Sequence, residues 1–205
     1  MPSKYVSADG RDLWLQSNWW EAPAPTPADN YNFNLRKVRL TPYRSSRPSN
    51  RPSASINLAR SGSDVTAVQI SADHANWTYY NDGDRTKSED SFDGTNKLVD
   101  FWGYTFSRSY WMNRVVYTTG AMADDGGWFS GFAGGLRVQV RRGFTWEDVE
   151  RSRIAPAYPY SASAGAFTTY TLTFDETWGD GIRIIGEPGG SAHYTSIAEL
   201  EVFFV

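Results

Sequence analysis

"GDGIRIIGEPGGSAHYTSIAELEVFF", residues 179–204, runs strand, glycine-rich loop, strand. Its last strand carries two glutamates, Glu199 and Glu201, and its loop holds His193, one of only two histidines in the chain. A loop with a histidine beside a strand that sends acids outward is a reaction centre, a ligand platform or an ordinary hairpin. The rest of the chain has to discriminate among them.

Upstream of this stretch the pattern is one of short strands. In "LRVQVRR", Leu136, Val138 and Val140 share one face, and Arg137, Gln139 and Arg141 share the other. Tyr170, Leu172 and Phe174 repeat that alternation against Thr171 and Thr173. A period of two is the mark of a half-buried strand. From Ile56 onward such runs are separated by Gly, Asp and Ser clusters, with no long helical periodicity. The expected fold class is therefore all-β, an antiparallel β-sandwich.

The first 43 residues read as strands of their own. "KYVSADGRDLWLQSNWW" places an Asp-Gly turn between two apolar-polar runs, a hairpin signal; "EAPAPTPADN" is a Pro-rich loop, and "YNFNLRKVRL" alternates again. Residues 44–55 are rich in Pro, Arg and Ser, the composition of an extended, solvated linker. The expected organisation is a strand segment over 1–43, a linker over 44–55 and a β-sandwich over 56–205. Charge supports two parts of different character. Residues 1–60 carry nine Lys/Arg against four Asp/Glu, and residues 61–205 carry eleven against nineteen.

Composition narrows the function. Nine Trp, twelve Tyr and eleven Phe in 205 residues exceed what one core needs, so some aromatics are expected on a surface where flat apolar faces such as sugar rings stack. A net charge of −3 argues against a nucleic-acid partner. With no cysteine there is no disulfide, no Cys-based zinc site and no thiol nucleophile. Two histidines, His74 and His193, with no G-x-S-x-G leave no Ser-His-Asp centre. A pair of carboxylates for glycoside hydrolysis is available in any sequence this acidic, so it points nowhere in particular. The chain is expected not to be an enzyme. No apolar run approaches the length of a membrane span, and no signal peptide is visible.

"YYNDGDRTKSED", residues 79–90, gathers Asp82, Asp84, Glu89 and Asp90 around Gly83. Hard carboxylate and carbonyl oxygens converging on a tight turn suit calcium. The alternative is an acidic Asx turn with no ion.

"NLARSGSDVTA", "NDGDRTKS", "WGYTFSRSYWMNRVVYTTG" and "TSIAELEVFF" together resemble the discoidin (coagulation-factor type C) domain, and within it the family-32 carbohydrate-binding modules of bacterial glycosidases, over about residues 56–205. The resemblance implies a galactose-binding-like jelly roll and a structural Ca2+ held by the carboxylates of Asp82 and Glu199, with backbone oxygens of Tyr79, Asp84 and Ala198. Where the family usually has Thr this chain has Lys87, whose carbonyl could serve, or Ser88 could substitute. The sugar would sit on loops at one end of the sandwich: "SADHANWTYY" with Trp77, "SEDSFDGT" with Glu89, "GAMADDGGWFSGFAGG" with Asp124, Asp125, Trp128 and Phe129, and "GEPGGSAHYT" with His193 and Tyr194. Trp128, flanked by glycines, would be the platform; the alternative is that it folds back and plugs the sandwich end.

The resemblance implies non-catalytic carbohydrate binding that targets an attached glycoside hydrolase, in a secreted bacterial protein. The alternative is a discoidin-type adhesion domain for a protein or lipid head group. Residues 1–43 are similar to the last strands of a sialidase-like bacterial β-propeller glycosidase, which would make this chain a fragment with a catalytic domain upstream.

Overall fold

The computed structural model describes the backbone of 4–6 and 13–15, and residues 47–205 apart from 55, 61, 63 and 70–78. The chain divides into two units, Met1–Tyr43 and Arg44–Val205. In the first, β1 (Lys4–Val6) and β2 (Leu13–Leu15) pair antiparallel, with Lys4 opposite Leu15 and Val6 opposite Leu13. That pairing accords with the hairpin expected there, whose Asp9-Gly10 turn lies outside the described residues. The further strand expected at 31–40 lies outside the described residues.

The second unit is built on two long strands, β5 (Asp100–Thr119) and β9 (Thr169–Gly186). Each is continuous and belongs to both layers. The early part of β5 pairs with β3 (Val65–Gln69) and with the late part of β9, which in turn pairs with β6 (Arg137–Arg142) and so with β7 (Thr145–Asp148). The late part of β5 pairs with β10 (Ser196–Phe203) and with the early part of β9, flanked by β4 (Glu89–Asp90) and β8 (Arg153–Ala155). All of these pairings are antiparallel. Between the two halves the ladder slips. Thr105 opposes Gly181 and Tyr110 opposes Gly179, then Met112 opposes Thr177 and Arg114 opposes Thr173. Bulges on both strands turn the corner from one sheet to the other. Among the described residues there is no α-helix, only three 3-10 turns.

The alternation read from sequence points as expected. Leu136, Val138 and Val140 are buried, as are Tyr170, Leu172 and Phe174, and they join Trp102, Tyr104, Val115, Tyr117, Ile182, Ile184 and Leu200 in one core. A fully buried aliphatic side chain contributes about 1.5–3 kcal/mol, so this cluster is the main favourable term. The buried tyrosines keep their hydroxyls satisfied: Tyr104 donates to the carbonyls of Tyr80 and Leu200, and Tyr117 to that of Ser196.

The described part of the Pro/Arg/Ser stretch lies along the sandwich. Trp111 Nε1 donates to the Pro48 carbonyl at 2.9 Å, Arg47 and Arg51 lie over the Trp111 ring, and Arg51 pairs with Glu176. The guanidinium groups find an aromatic face and a carboxylate there, which composition alone does not reveal.

Candidate functional site

Three loops meet at the end of the sandwich opposite the β5–β9 corner: 91–99 leading into β5, 120–136 leaving it, and 187–195 between β9 and β10. Asp100, the first residue of β5, ties two of them down. Its buried carboxylate accepts from Ser91 Oγ, from Thr195 Oγ1 at 2.6 Å and Thr195 N at 3.2 Å, and from Phe101 N at 2.9 Å. Trp102 Nε1 donates to Thr195 Oγ1 at 2.7 Å, extending the network into the core. Burial pushes the Asp100 carboxyl above its ordinary range, and the hydrogen bonds from Ser91 and Thr195 oppose that rise. Lys97, also buried, bonds the Ser91 carbonyl and pairs with Asp93 at 2.7 Å.

The second and third loops are stitched by their backbones. Gly127 N donates to Tyr194 O, Ser130 N to Glu187 O, Gly189 N to Trp128 O and Ala192 N to Asp125 O, all within 3.0 Å. Gly190 has φ +76°, and a Cβ there would lie 2.0 Å from the Asp125 carbonyl. A Cβ on Gly189 would lie 2.1 Å from Trp128 Nε1. These two glycines therefore allow the loops to close and the indole to fold inward.

That closure corrects the platform expectation. Trp128 is 8% exposed and Phe129 is fully buried, its ring edge-on to Tyr117 with centroids 6.0 Å apart. Both plug the end of the sandwich. Glu89 is buried as well, in β4 opposite Ile197, and so is not on the ligand surface. Trp77 lies outside the described residues.

What the loop end does present is a different set. Phe92 is 43% exposed and meets Tyr194 edge-on, with centroids 5.6 Å apart at 74°. The Tyr194 ring lies against Gly126, and burial together with the charges of Asp125 and Asp90 raises its hydroxyl pKa. Asp124 and Asp125 are exposed, and their carboxylates make no hydrogen bond or ion pair with the described residues. His193 is half-buried at φ +48°. A non-glycine residue in the left-handed region costs energy and persists only where its surroundings hold it. Of the expected ligand residues, then, Tyr194 meets Phe92, Asp125 lies close enough to act on the Tyr194 hydroxyl, and Asp124 and His193 are their chain neighbours. No sequence motif marks Phe92 or Asp100; "SEDSFDGT" only places the former in a candidate loop.

The expected calcium ligands take other partners. Glu199 lies on the outer side of β10, buried beneath the turn at 79–87, and both its oxygens accept from Gly83 N at 3.1 Å. A bulge at Ala198, where Ile197 opposes Thr119 and Glu199 opposes Thr118, sets this side of the strand. Asp82 Oδ1 accepts from Asp84 N at 2.7 Å. Ser88 Oγ accepts from Ala121 N at 2.7 Å, so it tethers the loop at 120 and does not face the turn. The Tyr79 backbone opens the 3-10 turn Tyr79–Asn81. Among the described residues no group of three or more Asp, Glu or His side chains is arranged to hold a metal ion. The two carboxylates that the resemblance gives to the ion, Asp82 and Glu199, thus take donors of this chain.

Two clefts lie elsewhere. One of about 840 Å³ near the corner is lined by Arg47, Arg51, Arg60, Arg108 and Tyr110, and one of about 530 Å³ lies beside Tyr158 and Tyr160.

Solved structures share this architecture. A family-32 carbohydrate-binding module of Clostridium perfringens in complex with GalNAc-β-1,3-galactose superposes with a TM-score of 0.51 at 18% identity, covering 68% of this chain and 95% of that one. The chitosan-binding module 1 of a Paenibacillus chitosanase/glucanase gives 0.52 at 21% identity, covering 73% and 99%. A second Clostridium perfringens family-32 module, in complex with galactose, gives 0.51 at 16%, covering 68% and 93%. This is the family-32 module fold. No family model matches the sequence, and no curated protein does. The β-sandwich of residues 44–205 therefore has the discoidin-like architecture that the four sequence segments resemble.

Proposed function

We propose that this chain binds carbohydrate without catalysis, at the loop end formed by 91–99, 120–136 and 187–195. The observation that carries the reading is the patch of Phe92, Tyr194, His193, Asp124 and Asp125. One exposed aromatic face and several uncommitted polar groups stand on loops held rigid by a buried network. A sugar's C–H face packs on Phe92, while Asp125, Asp124 and His193 bond the hydroxyls. Similar modules, by their names, bind galactose, GalNAc-β-1,3-galactose or chitosan, which supports a saccharide as the ligand class.

An open site with one aromatic contact binds in the range of roughly mM to tens of μM. Its value lies in tethering: a weak site linked to a hydrolase raises the local substrate concentration without new chemistry. An upstream catalytic domain and an extracellular setting complete the proposal. The test is a glycan array probed with the full chain, followed by calorimetric titration of the best ligand into wild type and Phe92→Ala. Binding to one sugar class, weakened about tenfold or more in the variant, is the expected result. A blank array on the folded protein would move the reading to a protein or lipid partner.

A further inference from the structure

The turn at 79–87 is closed by an ammonium group. Lys87 Nζ lies 3.2 Å from Asp82 Oδ2 and 3.1 Å from Asp84 Oδ2, bridging two acids two residues apart. We propose that Lys87 does the work of a divalent cation in this turn, so that the sandwich and its loop end hold together without calcium.

Three observations carry this. First, all six carboxylate oxygens of Asp82, Asp84 and Glu199 already face a donor of this chain. Asp82 Oδ1 takes the Asp84 amide and Oδ2 the Lys87 ammonium; Asp84 Oδ1 takes Thr86 N and Oγ1, and Oδ2 takes Lys87; both Glu199 oxygens take Gly83 N. Calcium takes six to eight oxygen ligands at about 2.3–2.6 Å, and an ion reaching Asp82 Oδ2 and Asp84 Oδ2 would have to displace the Lys87 ammonium, a like charge that cannot share those oxygens with it. Second, charge is nearly matched. The four acids Asp82, Asp84, Glu199 and Glu201 stand with Lys87, with Arg85 paired to Glu201, and with Arg60, whose guanidinium packs on Gly83. With Glu199 ionised these seven groups carry a single negative excess, and with it protonated they balance, so a dication would leave the turn positive either way. Third, the turn covers β10 directly, with Gly83 over Glu199 and the buried Asn81 Nδ2 bonded to the Ala59 carbonyl at 3.0 Å. It leads through Ser88, which bonds Ala121, into the loop that carries Phe92. An ammonium that fixes the turn thereby supports the loop end without touching any ligand.

The test is thermal and needs no glycan, so it stands or falls apart from the binding proposal. The full chain is melted in chelator and in millimolar calcium, and calcium alone is titrated calorimetrically. Wild type should melt at the same temperature in both and show no calcium heat. Lys87→Thr should melt about 2–4 °C lower in chelator and regain that loss in calcium. Stoichiometric calcium binding by wild type, or a wild-type melting temperature that falls on chelation, would overturn the proposal. So would a Lys87→Thr protein that melts in chelator where wild type does.

Discussion

Two acidic, glycine-bearing loops in this chain look alike as text and differ as chemistry. In "NDGDRTK" each carboxylate oxygen of Asp82 and Asp84 meets a donor from its own turn, whereas in "ADDGGWF" the carboxylates of Asp124 and Asp125 stand exposed with none among the described residues. An acid whose donors are internal serves the fold. An acid on a rigid loop without them remains available to something else. The glycines differ in the same sense: Gly83 lends its N–H to Glu199, while Gly189 and Gly190 make room for Trp128 and for the approach of the Asp125 carbonyl.

The largest expected effect tests the rigid frame beneath the second loop. Trp128→Ala should cost about 3–5 kcal/mol and lower the melting temperature by roughly 10 °C, measured by calorimetry; an exposed platform residue would cost almost nothing. Next, Asp100→Asn should cost about 1–3 kcal/mol, because Thr195 N and the Ser91 hydroxyl lose a charged acceptor; chemical denaturation reads it.

A pH effect follows from Glu199. Burial, reinforced by Glu201 and Asp82 and opposed by the Gly83 hydrogen bond, pushes its carboxyl from 4.5 up to about 7. The folded state then holds a proton that the unfolded state has lost, so this group's contribution is fully present below pH 4.5 and fades as pH rises through 7. Glu199→Gln should flatten the stability-against-pH curve across that window. The smallest effect belongs to the other loop: Asp124→Asn with Asp125→Asn should leave stability within about 0.5 kcal/mol while weakening glycan binding several-fold.

Much of the fold was legible because a sheet writes its buried face as a period of two. Leu136, Val138, Val140 and Tyr170, Leu172, Phe174 show it directly. The continuity of β9 was not legible, since the alternation of Tyr170, Leu172 and Phe174 stops at Phe174; the residues that follow form the bulged corner where the ladder with β5 slips. At the proposed site, the loops and Asp124, Asp125, His193 and Tyr194 could be named from sequence, but the burial of Trp128 and the exposure of Phe92 could not. Trp128 faces inward because Gly189, sixty-one residues later, leaves space for its indole, and no local pattern reports that contact. Asp100 escaped notice for a similar reason: an acid opening a strand reads as surface until Ser91 and Thr195 are seen to close over it. Lys87 was visible as a departure from the resembled pattern, but its reach to two carboxylates required coordinates.

As proposed, the exposed patch and not the buried indole holds the sugar. The most direct measurement is a side-by-side titration of one array-selected glycan into Trp128→Phe and Phe92→Ala. Binding retained within about twofold in the first and lost about tenfold or more in the second is the predicted result. Binding abolished in a folded Trp128→Phe and untouched in Phe92→Ala would contradict it.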